Sequence, residues 1–504
     1  MRKLATYLLS LVFPLSLLSQ NFDWLRITGD IDNDFGQWVQ ADSAGNVYVA
    51  GHAQGNCNFD GQVITSADPF WFVAKYDSNG FNIWVTKISI PYPNLFVMND
   101  FKVNKKGETY IVGHVNGGGL NGMLIKVGAT GNLIKKTTPS QTQNITSIAF
   151  DSNDNYYIGG VGYQSGNTNM FFSRYSSTDV ISWQTIFTGS YGLYSNLSLR
   201  VSSDNSLLLS FIFKNSVTIS DQLSNSIVLD ATQGILDDDR VVAKYNSDGE
   251  IMWAEKYDDK MPSRQIEIDA STGNFYILAY DDSGTDEDFL IRFNASGNQL
   301  SSQAVFDQSY PIGWAPHIRI HNDNLYFIGG GLSLRAGGHS IGFFTLKRFD
   351  LDGNLTGQFN PPQQMNSILG DVAFHENSIY LVGGTYNGTW GNEVFTAHGV
   401  DYGDFFLTKM RENNISAVSN VEEAQSQIAF EVYPNPVQDN VYVKLASETK
   451  GEIVLRDITG KVLSVLQTTG EQTQVISLSK FGSGIFFISW SNGAQVTTKK
   501  IVKL

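Results

Sequence analysis

One eight-residue block recurs seven times along this chain, so any fold proposed for it must be assembled from seven similar pieces. The block reads GNVYVAGH (45–52), GETYIVGH (107–114), DNYYIGGV (154–161), DNSLLLSF (204–211), GNFYILAY (273–280), DNLYFIGG (323–330) and NSIYLVGG (377–384). Its fourth position is Tyr48, Tyr110, Tyr157, Leu207, Tyr276, Tyr326 and Tyr380. Each copy is a turn dipeptide followed by a mostly apolar run, the pattern of a strand entered from a tight turn. A second block trails every first one, from FVAKYDSNG (72–80) to FLTKMRENN (406–414). It carries one basic residue at a fixed place: Lys75, Lys126, Arg174, Lys244, Arg292, Arg348 and Lys409. A residue needed in all copies belongs to the architecture, because an active site is built once.

A further strand follows the second block, as in FNIWVTKI (81–88), and another precedes the first, as in MNDFKVN (98–104). Four short strands in each unit of ~50 residues predict an all-β fold, a seven-bladed β-propeller, over residues 20–414. The last unit lacks its fourth strand. The missing piece is DWLRI (23–27), whose Trp24 matches Trp84, Trp183 and Trp253, so the N-terminal strand is expected to close the last blade and remove an open edge. The blocks resemble the repeats of bacterial propellers of the "FVAKYDxxGxxxW" type, found on secreted proteins of differing activity.

The two ends differ from this body. Arg2 and Lys3 precede an apolar run over residues 4–19 that is interrupted by Pro14 and ends at Ser19. This reads as an export signal over residues 1–19, too short to span a bilayer comfortably, and no other apolar run approaches the ~18 residues of a membrane helix. No transmembrane segment is expected in the mature chain. Residues 415–427 are polar and read as a linker, and residues 428–504 resume with short strand-like runs, which suggests a small Ig-like β-sandwich. VYPNPVQDNVYV (432–443), IVLRDITGKVL (453–463), LSKFGSGIFFI (478–488) and KKIVKL (499–504) together resemble the type A C-terminal sorting domain of the type IX secretion system. That resemblance implies the type IX secretion machinery as a partner through residues 428–504, and an extracellular or outer-membrane surface location.

Charge narrows the partners. The 504 residues carry 49 acidic and 34 basic side chains. The last 78 hold 6 acidic and 8 basic ones, leaving 43 acidic and 26 basic in the rest. Such an acidic body without a basic run excludes nucleic acid, whose phosphates need clustered Lys and Arg. The single Cys57 excludes an internal disulfide and a Cys-based zinc site.

Strand connections of variable length, at 53–69, 212–239 and 385–403, are expected on one face, where binding usually resides. That face collects Tyr92, Trp314, Tyr386 and Trp390 with the acids Asp281 and Asp282. Aromatic platforms beside carboxylates suit a glycan or a protein ligand, although such residues also serve simply as wedges between blades. Asp30, Asp32 and Asp34 alternate as calcium loops do, yet Ala41 stands where the closing Glu belongs, so an acidic connector is the plainer reading. His52 and His114 share a repeat position and read as strand-end residues without further ligands. No GxSxG, HExxH, P-loop or GxGxxG is present. The expected function is a secreted or surface binding protein. The alternatives are an extracellular carbohydrate-active enzyme with paired carboxylates at the channel mouth and a structural adhesion component.

Overall fold

The computed structural model describes residues 22–417 and 430–504 apart from 31–32, 91–95, 117–120, 165–166, 191–196, 233–237, 258–264, 281–287, 306–313, 335–339, 360–366, 387, 391–392, 396–402, 446–450, 458–460, 469–472 and 492–495. Strands dominate, and among the described residues the helical content is one 3-10 turn at Glu412–Asn414. The chain divides into two compact units, Met1–Val418 and Ser419–Leu504.

In the first unit each repeat folds into antiparallel strands that follow one another in sequence. Phe35–Ala41, Val47–Phe59, Gln62–Tyr76 and Asn82–Ile88 form the first such sheet, and Phe96–Val103, Thr109–Val115, Gly122–Val127 and Leu133–Thr137 the second. Register turns the sequence repeat into columns that run across each sheet. Tyr48 lies between Gln40 and Lys75, and Lys75 in turn faces Trp84. Tyr157 lies between Ala149 and Arg174, which faces Trp183. In the fourth repeat the residue between Arg200 and Lys244 is Leu208. Leu207 is therefore one place early, because this turn begins at Ser202 and its fifth residue is Ser206.

The tyrosine column is fully buried, with Tyr48, Tyr110, Tyr157, Tyr276, Tyr326 and Tyr380 at 0–1% exposure. The basic column covers it: Lys75 Nζ lies 4.8 Å from the Tyr48 ring, Lys126 Nζ 5.0 Å from Tyr110, and Lys409 Nζ 5.7 Å from Tyr380. Each cation also meets a carboxylate, as in Lys126–Glu108 at 3.1 Å and Arg174–Asp151 at 3.0 Å. This column is architectural, as its presence in every copy implies.

The N-terminal strand Phe22–Thr28 pairs antiparallel with Asp404–Arg411, with Trp24 opposite Lys409. It becomes the fourth strand of the sheet that also holds Ser367–His375 and Ser378–Thr385. Trp24 then crosses to the first repeat, where Nε1 donates to Ser78 O (3.1 Å) and the ring covers Gly80. Trp84 over Gly131, Trp183 over Gly249 and Trp253 over Gly297 repeat that contact. All four glycines have φ between +81° and +87°, where a side chain is strained and here also has no room.

Two long connections do not project as free loops. The hairpin of Val47–Phe59 and Gln62–Tyr76 folds back along its own sheet until Asp60 accepts from Asn82 N (3.3 Å) and Gln62 Nε2 donates to Ile83 O (3.1 Å). Cys57 and Phe59 bury its inner face, with Phe59 4.8 Å from Phe72 and 6.2 Å from Phe405. In the fourth repeat, Val217 and Ile219 do the same, and this hairpin pairs with Thr188–Ser190 of the third sheet. Alternating apolar residues make each hairpin a wedge between neighbouring sheets, so 53–69 and most of 212–239 act as braces as well as variable connections.

The chain stays with the first unit past residue 414. Ile415 is buried, and Ser416–Ala417 pairs with Leu355–Phe359. In the second unit a three-stranded sheet (Phe430–Tyr433, Asn440–Leu445, Thr473–Ser477) and a four-stranded sheet (Val462–Thr468, Gly451–Asp457, Gly484–Ser491, Val496–Lys503) share one core. Val441, Val443, Ile453, Leu455, Ile488 and Trp490 are its centre.

Candidate functional site

Of the aromatic and acidic residues expected to bind a ligand, Tyr92, Asp281 and Asp282 lie outside the described residues, as does Asp32 of the acidic triplet. Trp314 opens the strand Trp314–His321, and Trp390 sits in a small hairpin of Gly388–Trp390 with Glu393–Phe395. Tyr386 is half-buried beside Gly403, and burial pushes its phenol pKa up. The structure brings Tyr386 next to the turn that carries Asp30 and Asp34.

That turn uses its carboxylates internally. Asp34 accepts from Gln54 N (2.8 Å) and Asp30 N (2.9 Å), while Asp30 accepts from Asn56 N (2.7 Å). Asp34 N donates to Gly403 O (2.8 Å), tying the turn to the closing sheet. Asp34 and Asp404 are both fully buried. Burial, reinforced by the negative charges of Asp404 and Asp30 and opposed by the two backbone N–H donors, raises the Asp34 pKa to about 7. Two of the three alternating aspartates are therefore spent on peptide N–H groups. Among the described residues no group of three His, Cys, Asp or Glu side chains is placed to hold a metal ion. His52 lies between the rings of Phe35 and Trp71, and burial lowers its pKa to about 4, so it is neutral packing.

A different set of side chains is brought together by the first strands of the repeats. Trp38, Asn99, Lys102, Ser198, Arg200 and Arg319 are among the walls of a cavity of about 120 Å³. Its charged groups are paired: Lys102 Nζ to Asp100 at 2.8 Å, Arg200 Nε to Glu267 at 3.2 Å, and Arg319 Nη2 to Asp371 at 2.6 Å. Both guanidinium groups fold alike, each donating through Nη1 to the carbonyl of the preceding residue, Leu199 (2.8 Å) and Ile318 (3.0 Å). The acids are fixed from behind. Asp100 accepts from Ser147 Oγ (3.2 Å) and Ile148 N (3.0 Å), and Asp371 accepts from Val39 N (3.2 Å). Burial works to raise the Asp100 pKa, but Lys102 and Arg200 outweigh it and hold the carboxyl below its ordinary value. His317 packs edge-on against Trp38 at 5.6 Å, and burial together with Arg319 and Arg200 lowers its pKa to about 3. The buried Trp38 Nε1 has no hydrogen-bond partner among the described residues.

These residues escaped the reading of the repeats, although a signal for them existed. The position opposite each tyrosine, or opposite Leu208 in the fourth repeat, two residues before the turn, is Gln40, Lys102, Ala149, Arg200, Glu267, Arg319 and Ala373. The tyrosine and basic columns repeat around the molecule, whereas this one changes its chemistry from sheet to sheet.

Residues 431–504 match the family described as the secretion system C-terminal sorting domain. Such a tail engages the secretion machinery and indicates export to the cell surface or the extracellular space. No helix among the described residues is long and apolar enough to cross a membrane. No curated protein matches the chain. Similar solved structures include the polysaccharide lyase Uly1, at 10% identity, covering 75% of this chain and 90% of that one with a TM-score of 0.44. The β-propeller domain of the Trilobed protease from Pyrococcus furiosus is similar at 8% identity, covering 75% and 95% with a TM-score of 0.41. A catalytically inactive virginiamycin B lyase from Staphylococcus aureus is similar at 12% identity, covering 76% and 99% with a TM-score of 0.40.

Proposed function

We propose that this is an exported binding protein in which a seven-bladed propeller (closed by Phe22–Thr28) presents a ligand site, and an Ig-like sandwich serves sorting. In this reading the first strands of the blades surround the axis, and the cavity between Trp38, Lys102, Arg200 and Arg319 is the inner end of the site. The observation that carries recognition over catalysis is the pairing of its acids. Asp100, Glu267 and Asp371 each face a cation. A glycosidase needs one protonated carboxyl free to donate beside another kept as base or nucleophile, and Asp371, whose pKa burial pushes up, is engaged by Arg319 at 2.6 Å. His317, its pKa lowered to about 3, is too weak a base for proton abstraction near neutral pH. The ligand is a glycan or a protein segment, with Tyr92, Trp314, Tyr386, Trp390, Asp281 and Asp282 as outer contacts on the variable face. Calcium, if recruited through Asp30, Asp32 and Asp34, would share carboxylates that already accept from the N–H groups of Asp30, Gln54 and Asn56.

A glycan array run in parallel with a polysaccharide-degradation screen tests the reading. Retention of a glycan without release of shorter products is expected. Product release would replace binding by a lyase or hydrolase function.

A further inference from the structure

We propose that the axial cavity binds a carboxylate, as a free small acid or as the uronate group of a glycan, between Lys102, Arg200 and Arg319. The proposal deepens the binding reading above and rests on it only for the glycan-borne form.

Three cations converge here although the first 426 residues hold 43 acidic against 26 basic side chains. In so acidic a body a chance meeting of one lysine and two arginines around one small cavity is a weak explanation. Their distribution is not a by-product of the repeat either. The column that supplies them is the one whose chemistry changes around the ring, with Ala149 and Ala373 at the equivalent places. The guanidinium groups are pre-oriented, since each is held by an acid on one side and a main-chain carbonyl on the other. A planar fork held in this way suits a planar carboxylate and loses little side-chain freedom on binding. Access is retained, because the side chains of Lys102 and Arg319 are 22% and 19% exposed.

One further observation points to an anion. Trp38 lines the cavity, and its buried indole N–H has no partner among the described residues, leaving a donor for an acceptor oxygen. His317 beside it is held neutral chiefly by burial, with Arg319 and Arg200 adding to the effect and Asp100 opposing it. The charge balance of the cavity argues for one negative charge and not two. Asp100, Glu267 and Asp371 already offset the three cations, and Asp100 itself is part of the wall. A sulfate or phosphate dianion would meet that carboxylate at close range.

Titration calorimetry of the full chain with glucuronate, galacturonate oligomers, sulfate and neutral glucose, at low and high salt, tests the site. Glucuronate is expected to bind with a Kd of about 1 mM or tighter, weakening with salt, while glucose does not bind. Ser198→Asp places a carboxylate in the cavity without breaking an ion pair, and Arg200→Gln with Glu267→Gln removes one pair as neutral amides. Each is expected to weaken glucuronate about tenfold or more. Absence of saturable glucuronate binding by the natural chain overturns the proposal, and this measurement decides even where a variant unfolds. Unchanged affinity in a folded Ser198→Asp chain, or tighter binding of sulfate than of glucuronate, overturns it as well. Oligomers binding more tightly than the monomer identify a glycan-borne carboxylate, and equal affinities identify a free acid. A silent glycan array with glucuronate binding intact removes the glycan reading alone, and a neutral glycan bound without glucuronate removes this one alone.

Discussion

Substituting Gly80 by alanine should measure how firmly the N-terminal strand locks onto the first repeat. Gly80 has φ +81°, and a Cβ there would stand 2.6 Å from Trp24 Cδ2 and 2.8 Å from Cε3. Gly61, at the tip of the first folded-back hairpin, has φ +94° with nothing within 4 Å of a Cβ. Both substitutions carry the left-handed backbone cost of about 1–2 kcal/mol. Only Gly80→Ala must also displace an indole that hydrogen-bonds Ser78 O at 3.1 Å and lies 6.1 Å from the Tyr380 ring, which adds about 1–3 kcal/mol of overpacking. Gly80→Ala should therefore destabilise by roughly 2–5 kcal/mol against about 1–2 kcal/mol for Gly61→Ala. Urea unfolding followed by far-ultraviolet circular dichroism reads both. Trp24→Ala removes a half-buried ring and one hydrogen bond, worth about 2–3 kcal/mol. In that background the excess of Gly80→Ala over Gly61→Ala should fall below about 0.5 kcal/mol, since the two changes share one contact. Equal costs for the two glycines in the natural background, or an excess that survives Trp24→Ala, would refute a closure made through this ring.

Asp34 gives the seam a pH dependence. Its folded pKa of about 7 lies above the unfolded value of 3.8, so the folded state holds the proton more tightly, and the associated stability is full below pH 3.8 and is lost as pH rises through 7. At about 1.4 kcal/mol per unit the full loss is roughly 4–5 kcal/mol. Asp34→Asn should flatten the profile between pH 4 and 7, and an unchanged slope counts against the assignment. Cys57 should resist thiol reagents until the protein unfolds, because it is fully buried and burial beside Asp34 and Asp30 pushes its thiol pKa up. Labelling of the native protein at the rate of a free thiol would contradict this.

The repeat was legible because its two strongest columns are chemically uniform. Tyrosine opposite a basic residue recurs from Tyr48 and Lys75 to Tyr380 and Lys409, and a pattern read along the chain catches such uniformity. The closing strand was legible for the same reason, through Trp24. The slip at Leu207 arose where the tyrosine is replaced by leucine and three leucines follow one another, so only the turn at Ser202 fixes the register. The bracing role of the two long connections is not legible from their length, which marks variation between repeats and not burial. The alternation of Cys57 with Phe59 and of Val217 with Ile219 already marked buried faces. The cavity was hidden because its residues share a position and not a chemistry, and because ion pairs such as Arg319–Asp371 join residues 52 apart in sequence.

Nearly all sheets of the propeller are made from consecutive stretches of chain, but Phe22–Thr28 must wait for Asp404–Arg411. During synthesis the first strand is thus the last to find its place. Until then its Trp24 and the free edge of Asp404–Arg411 stay available to other chains, an aggregation hazard of the kind edge strands carry. Any product cut short before residue 404 keeps that hazard permanently. The pairing of Phe22–Thr28 with Asp404–Arg411 therefore shields two edges at once, and only when segments nearly four hundred residues apart have met.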